Sequence, residues 1–364
     1  MNEMLNRLLL FCRPGFEADA AEELITRAAE QGLYGYQQPS VAAGTAIFVL
    51  PDSDATEVLD RLALSSLVFV RDWFVLAGVV DLPQKDRVGA VEVFMGDLSD
   101  LAPDCERLAI RTAENVTDAD LNRFAKKWTA PLAKRLRDRG WLDDRAAKGG
   151  RTAWQLELVL PSFEQALVGF SHPDNRAAEP SGIVRLKMPA GAPSRSTLKL
   201  EEAWKVLLPG DNPWEYLGGG RTAVDLGAAP GGWTWQLVEV GMKVWAVDNG
   251  PMNEELMASG QVVHVREDGY FWHPRRPVDW MVCDIVDKPR RTVALVCEWF
   301  LDRHCRYSVF NLKLPMKKRF QEWEICRQIL TETLEENEFR FRLTARHLYH
   351  DREEITCFLE RLDH

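Results

Sequence analysis

The stretch Val224-Asp225-Leu226-Gly227-Ala228-Ala229-Pro230-Gly231-Gly232-Trp233 constrains this chain more than any other. Residues 222–226 predict an apolar strand that delivers an acidic side chain near its end. Three glycines within the next six residues let the backbone turn tightly and come close to a ligand. Residues 233–240 then predict a helix. A strand that runs through a Gly-rich turn into a helix is the ligand-binding edge of an open α/β sheet. The rhythm continues with strands expected at 244–248, 262–266, 280–284 and 307–314, and helices at 255–259, 292–301 and 320–335. This alternation predicts a Rossmann-like, mostly parallel sheet covered on both faces. Residues 354–359 read as an antiparallel last strand.

The turn narrows the choice of ligand. No Gly-Lys-Ser/Thr follows, so it is not a nucleoside-triphosphate loop, and the spacing is not the G-x-G-x-x-G of dinucleotide sites. A dinucleotide also needs a helix N-terminus open to its pyrophosphate. S-adenosylmethionine has no phosphate and carries an ammonium and a sulfonium, so an acidic residue beside the turn suits it. Asp225 is that residue. Asp248, at the end of the next strand, is placed to accept from two ribose hydroxyls, and Asp268, after the third, from an adenine amino group. Each aspartate alone is as well explained as a turn or cap residue; the three after successive strands point to the cofactor.

The string D-L-G-A-A-P-G-G-W resembles the first motif of the FtsJ-like ribose methyltransferases. Four further stretches fit. Ser194-Arg195-Ser196-Thr197-Leu198-Lys199-Leu200 looks like that family's S-R-x-x-x-K-L. Cys283-Asp284 closes the fourth strand, Asn311-Leu312-Lys313-Leu314 closes the fifth, and Asp351-Arg352-Glu353 looks like the family's S-R-E with aspartate in place of serine. The resemblance implies a catalytic tetrad of Lys199, Asp284, Lys313 and Glu353. A ribose hydroxyl is a poor nucleophile and needs alignment and loss of its proton. Lys313 is the candidate base, with Lys199 lowering its pKa by like charge, while Asp284 and Glu353 oppose that depression. Asp284-Ile285-Val286-Asp287 lacks the Pro-Pro-aromatic run of amino-group methyltransferases. Cys283 lies in an apolar run that faces a core, which argues against a C5-methylating thiol.

The strings VDLGAAPGGWT, VDNGPM, REDG, WMVCD, NLKLPMKKR and LYHDREE together resemble the RlmM family, over most of residues 190–357. That resemblance implies methylation of the 2′-hydroxyl of one cytidine in the peptidyl-transferase loop of bacterial 23S ribosomal RNA. It also implies that Ser196, Ala229, Pro230, Gly231, Gly232, Asp248, Asp268 and Asp284 line the cofactor, with Asp225 and Gly227 beside them. The expected domains are a ferredoxin-like unit at 1–82, a THUMP RNA-binding unit at 83–170, a Pro/Gly/Ser/Ala-rich linker at 171–190 and the methyltransferase domain at 191–364. In the first, strands are expected at 7–13, 44–50 and 67–80 and helices at 16–31 and 54–62. In the second, helices are expected at 87–95 and 118–139, the latter interrupted near Pro131, with strands at 107–112 and 154–160.

Charge adds a possible partner. The chain carries a formal −10, yet residues 123–151 hold ten basic and three acidic side chains. A basic island on an acidic protein suits a selective contact with a polyanion, and equally a solvated helix face. Lys126, Lys127, Lys134, Arg135, Arg137 and Arg139 are the candidate phosphate contacts, joined by Lys317, Lys318 and Arg319 just past Lys313. Trp233 and Trp235 read as packing residues rather than base-stacking platforms. Seven cysteines, odd in number and without C-x-x-C spacing, predict neither a disulfide framework nor a zinc site, and the histidines show no metal-ligand pattern. The sequence shows no apolar run of about 18 residues and reads as lacking a signal peptide, so a cytoplasmic protein is expected. Nothing demands more than a monomer, and a ribose that a folded subunit would hide points to naked 23S RNA or an early assembly intermediate as substrate. The competing readings are a non-catalytic ribosome-assembly factor with a vestigial fold, and an oxidoreductase on the same sheet.

Overall fold

The computed structural model describes residues 5–114, 118–143 and 153–362. The chain divides into two units, Met1–Ile183 and Val184–His364. The division falls inside the segment read as a linker.

The first unit begins with β1 (Arg7–Phe11), α1 (Glu17–Glu30), β2 (Tyr36–Pro39), β3 (Thr45–Val49), α2 (Thr56–Arg61) and β4 (Asp72–Asp81). The order β2-β3-β1-β4, all antiparallel, is the ferredoxin-like arrangement. Residues 67–71, expected as strand, precede it. β2 was not expected: all four of its residues are exposed, so no apolar alternation marks it, and its Pro39 is tolerated on an edge. The chain continues with α3 (Arg87–Asp97), β5 (Cys105–Thr112), α4 (Ala119–Asp138), β6 (Trp154–Leu160) and β7 (Gln165–Ser171). β7 pairs with β4, so both N-terminal segments share one seven-stranded sheet, β2-β3-β1-β4-β7-β6-β5. One cluster including Phe11, Phe74, Val159 and Leu167 packs across the join.

α4 runs unbroken through Pro131, contrary to expectation. The missing N–H falls on the exposed side of the helix, where water can satisfy the carbonyl four residues back. Leu121, Ala125, Trp128, Leu132 and Leu136 hold the buried side. The end of the basic island, residues 144–151, lies outside the described residues.

The second unit contains α5 (Thr197–Leu207), α6 (Trp214–Leu217), β8 (Thr222–Leu226), α7 (Gly232–Glu239), β9 (Lys243–Val247), α8 (Glu254–Ala258), β10 (Val262–Val265) and β11 (Val278–Cys283). It ends with α9 (Pro289–Leu301), β12 (Cys305–Lys313), α10 (Arg319–Glu336), β13 (Phe341–Arg346) and β14 (Glu354–Arg361). The sheet order is β10-β9-β8-β11-β12-β14-β13. β8 to β12 are mutually parallel, and β14 is antiparallel between β12 and β13. This is the mostly parallel Rossmann-like sheet with an antiparallel last strand. The order reverses between β8 and β11, so a crevice opens at their carboxyl ends. Trp204, Trp233, Trp280, Tyr307 and Phe358 form a buried aromatic core that clamps α5 and α7 onto the sheet. That clamp fixes where Lys199, on α5, projects.

Candidate active site

The glycine turn follows β8 as expected. Gly227 and Gly231 have φ of 77° and 114°, values that favour glycine. A Cβ on Gly227 would lie 2.6 Å from Ile285, one on Gly231 2.5 Å from Leu256, and one on Gly232 2.2 Å from the Ser196 hydroxyl. The glycines thus let the loops after β8 and β11, helix α8 and the start of α5 close up around the crevice. Ser196 hydrogen-bonds the Ser194 hydroxyl at 2.7 Å, and its carbonyl accepts from Trp233 Nε1 at 3.0 Å. Trp233 is buried and Trp235 packs beside Ala228, Ala246 and Met252, so both tryptophans are packing residues.

Asp248 follows β9 and ties the turns together. Its carboxylate accepts from the backbone N–H of Ala229 at 3.0 Å and of Gly250 at 2.7 Å. Each oxygen keeps lone-pair capacity for a hydroxyl donor. Asp268, after β10, is exposed and accepts from Tyr270 N at 2.9 Å. Asp225 departs from expectation. It is 1% exposed and turned into the unit, where it accepts from the Thr234 hydroxyl at 2.6 Å. Burial raises its pKa to about 7, against the lowering effect of Thr234. It secures α7 to β8 and does not face the crevice. The acidic groups at the sheet edge are therefore Asp248, Asp268 and Asp284, and with the glycine cradle they fit a ligand carrying hydroxyls and positive charge.

Asp284, just past β11, anchors a compact charge cluster. Lys199 Nζ lies 3.2 Å from its Oδ2 and 2.5 Å from Glu354 Oε1. Lys313 Nζ lies 2.5 Å from Asp284 Oδ1 and also contacts Glu354 Oε2. Asn311 Nδ2 donates to Asp284 Oδ1 at 2.8 Å. Two ammoniums face two carboxylates, with Glu354 7% exposed as a residue and the lysine side chains 14% and 17%. Burial alone pushes Asp284 up, but Lys313 and Lys199 outweigh it and hold its pKa below the usual range. Burial alone pulls Lys313 down, but Asp284 and Glu354 outweigh it and raise its pKa. In this state Lys313 is an ammonium.

The fourth member of the cluster is Glu354, not the Glu353 expected from the motif. Strand register gives the reason. Lys313 sits directly opposite Glu354, and residues opposite each other share a face of the sheet. Glu353 has the other parity and meets Arg319, at 2.7 Å from its Nη2. The same parity places Asn311, Lys313, Glu354 and Thr356 on one face. The sequence reading also missed Glu202 on α5. Its buried carboxylate accepts from Tyr349 N, His350 N and His350 Nδ1, tying the Lys199 helix to the turn before β14.

Beside Lys313 opens a cavity of about 610 Å³, lined among others by Lys288, Arg290, Arg291, Leu314 and Pro315. Arg290 is held by Glu322 and Arg291 by Asp287. Lys317 and Lys318 are exposed beyond it. Arg319, expected to reach RNA, is 8% exposed and bound to Glu353, so it is a structural residue. In the first unit, Lys126, Lys127, Lys134 and Arg137 are exposed on α4. Arg135 and Arg139 are exposed as well, but both are bound to Glu92, the latter at 2.5 Å, and their charge is partly neutralised.

All seven cysteines are free and buried, and burial raises the Cys283 thiol to about 12, unsuited to a nucleophile. Among the described residues, no cluster of three or more His, Cys, Asp or Glu has a metal-holding arrangement, and no helix is long and apolar enough to cross a membrane.

Residues 5–74 match the model of the RlmM ferredoxin-like domain and residues 192–306 that of the FtsJ-like methyltransferases. The chain is 58% identical over 363 residues to the ribosomal RNA large subunit methyltransferase M of Marinobacter nauticus, covering 99% of this chain and 100% of that one. It is 43% identical to the protein of that name from Pseudomonas fluorescens, covering 99% and 98%, and 43% to that from Cellvibrio japonicus, covering 98% and 99%. With the glycine cradle, the aspartates at three strand ends and the lysine–carboxylate cluster in place, full-length identity of this order shows that the chain belongs to the ribosomal RNA large subunit methyltransferase M family, the RlmM family.

Proposed function

We propose that this chain transfers the methyl group of S-adenosylmethionine to the ribose 2′-hydroxyl of a cytidine in 23S ribosomal RNA. The observation that carries the reading is the cluster of Lys199, Asp284, Lys313 and Glu354, at the carboxyl edge of the sheet and next to the glycine turn. The large-subunit RNA comes from the name the relatives bear, and the cytidine from the family resemblance.

Ser196, Ala229, Pro230, Gly231, Gly232, Asp248, Asp268 and Asp284 would hold the cofactor. Bound there, it supplies the methyl group and a sulfonium charge that opposes the protonated form of Lys313. The chain's own residues do the rest. Lys199 and Lys313 take the 2′-oxygen between them and fix its direction of attack. Lys313, partly open to solvent, gives up its proton there and then accepts that of the hydroxyl. Asp284 and Glu354 hold both amines in place and set how hard that first deprotonation is. We assign residues 83–170 to a THUMP unit that presents RNA, with Lys126, Lys127 and Lys134 on phosphates. The substrate is protein-free RNA or an early assembly intermediate, where the target ribose is accessible, and the enzyme acts as a monomer.

A cluster of two ammoniums and two carboxylates held partly out of water adds little net stability, so a non-catalytic assembly factor gives no account of it. The test is Lys313→Ala assayed for methyl transfer and, by calorimetry, for S-adenosylmethionine binding. Loss of transfer by at least about 100-fold with binding retained supports the base; full activity would remove it.

A further inference from the structure

Behind the charge cluster lies a chain of buried polar groups that the reaction scheme does not use. Asp351, Thr356 and Asn311 are 1%, 0% and 0% exposed. Thr356 Oγ1 lies 2.8 Å from Asn311 Oδ1 and 3.0 Å from both carboxyl oxygens of Asp351. Asn311 Nδ2 lies 2.8 Å from Asp284 Oδ1. Leu348 N donates to Asp351 Oδ2 at 3.0 Å.

Counting protons assigns the direction of the bonds that link Asp284, Asn311, Thr356 and Asp351. Asp284 is ionised between two ammoniums, so it can only accept, and Asn311 must turn its NH₂ toward it. Asn311 then presents its carbonyl oxygen to Thr356 and needs a donor there. A threonine hydroxyl has one proton, and it goes to Asn311. The Thr356 oxygen is left facing Asp351 with lone pairs only, so a carboxylate there would oppose lone pair to lone pair in a dry site. The contact is satisfied when the proton sits on Asp351.

We propose that Asp351 is a neutral carboxylic acid that donates through Thr356 and Asn311 to orient Asp284, making these three the positioning residues of the reaction centre. Full burial and the nearby charge of Glu354 favour the neutral form against the opposing effects of Lys199, Leu348 N–H and Thr356. The device has a physical purpose. Asp284 must hold two lysines at once, and an amide locked from behind restricts its carboxylate to one orientation. A neutral donor does this without adding a third negative charge to the cluster. The kinetic part of this inference rests on the reading of Lys199, Asp284 and Lys313 as the reaction centre; the protonation state of Asp351 does not.

Two measurements test it. The first is the infrared difference spectrum of wild type minus Asp351→Asn at neutral pH, without cofactor or RNA. A protonated-carboxyl band assigned to Asp351 is expected, and a carboxylate band in its place overturns the proposal whatever the enzyme does. The second is methyl transfer by the full-length protein. Asp351→Asn keeps the shape and a neutral donor, so it should retain kcat to within about threefold. Asp351→Ala and Thr356→Val break the chain and should lower kcat at least about tenfold, with KM for RNA and Kd for S-adenosylmethionine within about twofold, and Thr356→Ser should restore kcat. If Asp351→Asn is as impaired as Asp351→Ala, or if Asp351→Ala keeps full kcat while the infrared band is present, the positioning role is wrong. Absence of any transfer by wild type would instead overturn the functional reading and leave the infrared result standing.

Discussion

Replacing Glu354 by glutamine should move the alkaline limb of the pH–rate profile to lower pH, and replacing Glu353 should not. Glu354 contacts both Lys199 and Lys313 from a nearly buried position, while Glu353 reaches Arg319 and its side chain is 46% exposed. The pKa of Lys313 is raised because Asp284 and Glu354 outweigh burial. Glutamine keeps the shape and removes one of those two charges. A charge-assisted hydrogen bond is worth about 1.5–3 kcal/mol. Losing that preference for the ammonium should raise the fraction of free Lys313 roughly tenfold to a hundredfold at any pH below the limb. The sign follows from the chemistry: a base works only when unprotonated, so the rate rises with pH until Lys313 is free, and weaker hold on its proton brings that rise earlier. The assay is single-turnover methyl transfer to protein-free 23S RNA across the alkaline range, which reports the position of the limb independently of any loss in its height. A limb that stays put in Glu354→Gln, or one that moves in Glu353→Gln, refutes the assignment.

Further outcomes are expected elsewhere. Asp225 titrates near 7 because it is buried. The unfolded chain therefore loses this proton first, and stability falls between about pH 4 and 7; Asp225→Asn should remove that loss, on the order of 2–4 kcal/mol, seen as a thermal midpoint that gains on wild type from pH 5 to pH 8. Gly232→Ala places a methyl 2.2 Å from the Ser196 hydroxyl; it should weaken S-adenosylmethionine binding at least about tenfold in calorimetry and cost about 1–3 kcal/mol of stability. Replacing Lys126, Lys127 and Lys134 by alanine should lower RNA affinity and reduce the slope of log K against log salt by about 2–3, with a smaller effect for Arg135→Ala because Glu92 already holds that charge.

What could be read from the residues was whatever is local. The β8–turn–α7 segment is set by apolar strand residues and by glycines that no other residue replaces there, and both survive intact in the structure. Asp248 and Asp284 directly follow strands because each closes an apolar run, and Asp268 lies three residues past β10, beyond Arg266 and Glu267. What could not be read depends on partners distant in sequence. Glu353 and Glu354 are adjacent, and only the register of β12 against β14 decides which one meets Lys313. Asp225 is the last residue but one of β8 and is buried, with its carboxylate on the Thr234 hydroxyl of α7, whereas Asp248 follows β9. α5 begins inside a Pro- and Ser-rich segment, so its buried face of Leu200, Ala203, Trp204 and Leu207 was hidden behind loop composition. β13, half-buried on the sheet edge, gives too weak a pattern to stand alone. Arg319 looked like one of three exposed cations, but its side chain is nearly buried and bound to Glu353, which removes it from that set.

The central claim is that this chain methylates a ribose hydroxyl through Lys313, and its most direct test is a product analysis. Protein-free 23S RNA from cells lacking this gene would be incubated with the enzyme and S-adenosylmethionine carrying tritium on its methyl group, and the labelled nucleoside identified by mass spectrometry. The account predicts a single 2′-O-methylcytidine with the wild-type chain and none with Lys313→Ala. A methyl group on a base, or equal labelling by the two proteins, would contradict it.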